Sequence, residues 1–113
     1  MSVNYFPYIF LGLFFFCIGS CFAQVSVIHF NSDWNSDNSF DISVLKDCHL
    51  DSIVICHNPK MQQKHKIKSV PTIIVFDEQQ EVIRYEGNIL MQLDITKKDI
   101  QKEIDSIYLT KFE

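Results

Sequence analysis

Few side chains in this 113-residue chain can take part in covalent or metal chemistry. Beyond residue 23 there are two cysteines, Cys48 and Cys56, each followed directly by a histidine, His49 and His57. His29 and His65 complete the set of imidazoles. A thiol becomes a nucleophile or redox centre when a neighbouring group favours its thiolate, and each of the two Cys-His pairs offers an imidazole for that role. Cys56 ends the run Ser52-Ile53-Val54-Ile55-Cys56, and neighbours along a strand point to opposite faces, which separates Cys56 from His57. The spacing of Cys48 and Cys56 is neither Cys-x-x-Cys nor a metal pattern. None of the four histidines is spaced i, i+4 with another, and no carboxylate joins them in a ligand motif. The residues thus point to no catalytic group, metal or cofactor. Two readings of the cysteines stay open: a structural disulfide between Cys48 and Cys56, or two reduced, half-buried small hydrophobes. Thiol–disulfide exchange by this pair is the alternative function.

The elements that position these groups come after a distinct N-terminal stretch. Residues 1–23 carry no charged side chain, and the run from Tyr8 to Ile18 has the length and apolarity of a signal-peptide core. It ends at Cys21-Phe22-Ala23, a small-x-small pattern that favours cleavage before Gln24. The n-region has no Lys or Arg, so an uncleaved anchor over residues 3–23 is the alternative. A third reading takes Ile18-Gly19-Ser20-Cys21 as a lipobox with lipidation at Cys21. All three place the remainder, residues 24–113, outside the cytoplasm: periplasmic, secreted or membrane-anchored. Membrane contact is expected only through this segment. A net charge of −4 leaves no basic excess for nucleic acid. The cluster Lys60, Lys64, His65, Lys66 and Lys68 reads as a solvated helix face and the loop after it.

Residues 24–113 suffice for one small domain. Val25 to Phe30 and Ser52 to Cys56 are β-branched runs that read as buried strands. Between them, Asn38 or Ser39 can cap a short helix placing Phe40, Val44, Leu45 and Cys48 on one face. Asn58-Pro59 supplies an N-cap and a Pro at the first helical position, for a helix running to about His65. Thr72 to Asp77 predicts a third strand, Glu78 to Gln80 a turn, and Glu81 to Tyr85 a fourth, half-wet strand. Thr96-Lys97-Lys98-Asp99 is a capping box with Asp in place of Glu, opening an amphipathic helix with Ile100, Ile104, Ile107 and Tyr108. The order β-α-β-α-β-β-α favours a mixed four-stranded sheet with helices on both faces.

The stretch from Asn58-Pro59 through Lys64, Ile67 and Ser69-Val70-Pro71-Thr72 resembles the thioredoxin family's Asn-Pro to Pro-Thr segment, at the family's own spacing. Ile73 to Phe76, Glu81-Val82 and Gly87 extend it, as does Ile28-His29-Phe30-Asn31-Ser32-Asp33-Trp34, similar to the strand and tryptophan leading into the family's active site. The resemblance implies a thioredoxin-like α/β fold and a cis bond between Val70 and Pro71.

Three departures bear on function. Where the family carries Cys-x-x-Cys after the tryptophan, this chain has Asn35 and Asn38, and an amide can neither attack a disulfide nor resolve one. His29 takes the strand position of the family's buried acid. The span from Trp34 to Asn58 is short, and the family's leading strand and helix have no counterpart. What the resemblance leaves is recognition without catalysis. Trp34, Asn35, Asn38, Val70 and Pro71 would form a shallow groove in which an extended peptide pairs with the main chain at Val70. The expectation is an exported protein- or peptide-binding or scaffold module.

Overall fold

The computed structural model describes residues 24–111. The signal, anchor and lipobox readings fall on residues 1–23, outside the described residues. Strand β1, Val25–Asn31, is flanked by β2, His49–Val54, on one side and β3, Thr72–Asp77, on the other. Strand β4, Gln80–Glu86, closes the far edge, giving the order β2-β1-β3-β4. The β1–β2 pair is parallel, and β1–β3 and β3–β4 are antiparallel. A crossover thus precedes β2, while β3 and β4 form a hairpin through Glu78 and Gln79, both at positive φ.

The alternation of β1 and β3 sorts the core into two layers. Val25, Val27, Ile73 and Val75 face helix α2, Lys97–Lys111, and pack on Ile100, Ile104 and Ile107. Phe30, Ile74 and Phe76 face the other way, onto Ile55, Ile67 and Val70. This second side carries the short helix α1, Pro59–Lys64, which has Pro at its start and buries no side chain of its own. Helix α2 opens as its sequence predicts. Thr96 Oγ1 accepts the Asp99 N–H at 3.1 Å, and Asp99 Oδ2 accepts the Thr96 N–H at 3.0 Å.

Two expectations are corrected. The segment from Phe40 to Cys48 is not a helix. Asp41 Oδ1 instead accepts both the Ser43 N–H and hydroxyl, a local bond that competes with helical pairing. Gln101 of α2 takes the Lys46 N–H, and Asp47 has φ of 63°. Ile42 and Leu45 still reach the core, while Val44 is exposed. The second correction is β2, expected as a buried strand over Ser52 to Cys56: it runs from His49 to Val54 on the sheet edge, with only Leu50 and Ile53 half-buried. Its register pairs Val54 with Asn31, the last residue of β1. Past that point there is no ladder to extend, and Ile55–His57 turns into a 3-10 helix.

Candidate functional site

The Val70–Pro71 bond is cis, and both residues are buried. Thr72 Oγ1 donates to the Ser69 carbonyl at 2.7 Å and fixes the corner's entry into β3. Gly87, just past β4, presses against the same corner. A Cβ there would stand 2.5 Å from the Val70 carbonyl oxygen and 3.2 Å from Pro71 Cδ. No other residue type fits without moving backbone.

Opposite the corner, the 3-10 helix Asp33–Asn38 follows β1, with a kink at Asn35. Trp34 stands 67 % exposed, while Asn35 is buried. Asn35 Nδ2 donates to Asn31 Oδ1 at 3.1 Å and to the Met91 carbonyl at 3.2 Å. Asn31 Nδ2 returns a bond to the Asn35 carbonyl at 3.0 Å, and Asn38 Nδ2 donates to Asn35 Oδ1 at 2.8 Å. Gln92 Nε2 donates to Asn38 Oδ1 at 3.2 Å. The buried amide is thus satisfied on both ends, as burial demands. Asn35 and Asn38 therefore do not line the expected peptide groove: their side chains are spent joining the turn to the loop after β4.

That loop was not singled out by the sequence. Asn88 organises it: Oδ1 accepts the Leu90 and Gln92 N–H groups, Nδ2 donates to Asp94, and the backbone N–H bonds the Gln92 carbonyl at 2.8 Å. The constraint carries Met91 to φ of 59°, an uncommon conformation for a residue with a side chain. It leaves Ile89 95 % exposed and Leu90 largely so. The apolar run Ile89-Leu90-Met91, lying outside any strand or helix periodicity, was the available signal. Trp34, Ile55, Ile67, Val70, Ile89 and Met91 line a cleft of about 340 Å³ beside the corner. Pro71, expected in the groove, is fully buried and does not line this cleft.

A second cleft, about 650 Å³, opens between Phe40–Ser43 and β2, with His29 in its wall. His29 is buried, and its Nε2 accepts the Phe40 N–H at 3.2 Å. That bond requires a lone pair on Nε2, which assigns the proton of the neutral ring to Nδ1, 3.5 Å from Ser52 Oγ. Burial lowers the pKa of the ring from its ordinary value, favouring the neutral form.

Cys48 and Cys56 are both free thiols in this structure. Burial, and then the Asp47 carboxylate, push the half-buried Cys48 thiol up. Cys56 is exposed, and contrary to the strand argument it does lie near His57, because both sit on a 3-10 turn. His57 Nε2 contacts Asp33 Oδ2, also exposed.

No protein-family model and no curated protein matches this chain. Solved structures do. A mutant thioredoxin from Halobacterium salinarum superposes with a TM-score of 0.57 at 18 % identity, over 74 % of each chain. Thioredoxin-2, described as a component of the malaria parasite's protein secretion machinery, gives 0.60 at 21 %, over 74 % of this chain and 82 % of that one. Thioredoxin 1 of Thermosipho africanus gives 0.59 at 17 %, over 78 % and 99 %. At such identities the likeness establishes the fold. The chain has a thioredoxin-like α/β fold, with Asn35 and Asn38 where the resemblance places the thiols.

Proposed function

We propose that this chain is an exported, non-catalytic peptide-binding module that takes an extended peptide with apolar side chains. The groove runs past the Val70–Pro71 corner between Trp34 and the loop Ile89-Leu90-Met91. One observation carries the reading: two large apolar side chains, Trp34 and Ile89, stand largely in solvent and line one cleft. Each is anchored by a satisfied amide, Asn35 behind Trp34 and Asn88 beneath Ile89. Exposed apolar groups gathered at one concave place are a mark of a binding surface. Main-chain pairing at Val70 supplies affinity and the flanking apolar groups supply preference. Export rests on residues 1–23. Thiol–disulfide exchange by Cys48 and Cys56 has less support, since Cys48 is biased toward the protonated thiol.

The test is an array of extended peptides of varied composition, probed with the full-length chain and with its Trp34→Ala and Ile89→Ser variants. Peptides that retain the parent chain and lose both variants support the groove. An array on which nothing is retained, or on which both variants bind as the parent does, sinks it.

A further inference from the structure

The C-terminal ends of two parallel strands bring Asp33 beside the adjacent pair Cys56-His57, more than 20 residues away in sequence. Register pairs Asn31 with Val54. Two residues beyond each, the chain places Asp33 and Cys56, with His57 following. One ligating atom from each of Asp33, Cys56 and His57 lies within 4.8 Å of the other two. Among the described residues no other group of three such donors comes this close. We propose that Asp33, Cys56 and His57 form a binding site for a borderline divalent cation of the zinc class.

The donor set decides the class. Thiolate, imidazole and carboxylate together suit zinc and its neighbours, and all-oxygen cations such as magnesium or calcium would not recruit the sulfur. With Zn–S near 2.3 Å and Zn–N or Zn–O near 2.0–2.1 Å, tetrahedral ligand atoms stand roughly 3.3–3.6 Å apart. The donor atoms, all within 4.8 Å of one another, reach that spacing by closing at most about 1.5 Å. All three side chains are exposed and can close by side-chain rotation without disturbing the core. His57 Nε2 already meets Asp33 Oδ2, so the two side chains converge before the ion arrives; for both of these atoms to ligate, the hydrogen bond between them opens and its proton leaves to solvent. Three protein ligands leave a fourth position for water, the arrangement of an open rather than a purely structural site. The ion displaces the thiol proton of Cys56 to solvent, so affinity rises with pH. The ends of parallel strands are also where open α/β sheets tend to place ligands. The site adjoins Trp34 in sequence but uses none of the groove's side chains, so it stands independently of the peptide-binding reading.

Cobalt(II) is the probe, titrated into the reduced full-length chain with a phosphine reductant present. The expected result is one cobalt per chain with a thiolate-to-cobalt charge-transfer band, displaced by zinc. Cys56→Ser abolishes the band and Cys48→Ser keeps it. Asp33→Asn weakens binding roughly 10–100-fold, whether the carboxylate ligates the ion or only orients the imidazole. A parent chain that gives no band under excess cobalt overturns the site. So does a band that survives in Cys56→Ser, which would place the sulfur ligand elsewhere. Because the three residues are exposed, the variants are expected to keep the parent's circular dichroism, and that spectrum is recorded alongside.

Discussion

Asn38 Nδ2 donates to Asn35 Oδ1 at 2.8 Å, so the two positions at which the resemblance places thiols are joined by a side-chain hydrogen bond. The bond belongs to a network that runs from Asn31 in β1 to Met91 and Gln92 in the loop after β4. The network joins the turn that carries Trp34 to the loop that carries Ile89, the two segments beside the cleft.

Removing that link should loosen both segments. Asn35→Ala leaves the Met91 carbonyl and Asn31 Oδ1 without their donor, and loss of a buried partner costs roughly 1–3 kcal/mol. Urea unfolding should show a lower midpoint with an unchanged slope. Asn38→Ala should cost less, since Asn38 is only half-buried.

Gly87→Ala tests the close approach to the corner. The new methyl would meet the Val70 carbonyl oxygen at 2.5 Å, a backbone atom that cannot rotate away. Overpacking of this kind costs roughly 1–3 kcal/mol. A variant as stable as the parent in thermal unfolding would mean that β4 and the corner separate freely.

His29 sets a pH dependence. Its folded-state pKa is lowered from 6.5 by burial, so between the two values the unfolded chain binds more protons than the native one. Its contribution is fully present above the unfolded value of 6.5 and is lost as pH falls from there through the folded value. His65, lowered by burial first and then by the Lys64 and Arg84 charges, adds in the same direction. Urea midpoints between pH 7.5 and 5 should fall, and His29→Gln should flatten the slope. A slope identical in the variant would remove His29 from the account.

The frame was legible in the sequence wherever its signals are local. The β-branched runs of β1 and β3, Pro71, and the reciprocal pair Thr96–Asp99 each specify their own conformation through neighbours a few residues away. What failed depends on distant partners. Helical spacing from Phe40 to Cys48 lost to the Asp41–Ser43 bond and to Gln101, a residue 55 positions from Lys46. The end of β2 is fixed by where β1 stops, and nothing within Ser52 to Cys56 states that. The site shows the same division. Trp34 and Val70 were readable, but the burial of Asn35 depends on Met91, and the juxtaposition of Asp33 with Cys56 and His57 depends on strand register.

Trp34 is the only tryptophan in the chain, which makes its fluorescence a direct report on the cleft. The decisive measurement is a titration of the full-length chain with an extended apolar peptide selected on the array, followed by Trp34 emission. A saturable blue shift, weakened when Ile89 is replaced by Ser, is the predicted result, because the exposed ring passes from water into contact with the peptide. A peptide that binds by calorimetry while Trp34 emission stays unchanged would place recognition on another surface and contradict the groove.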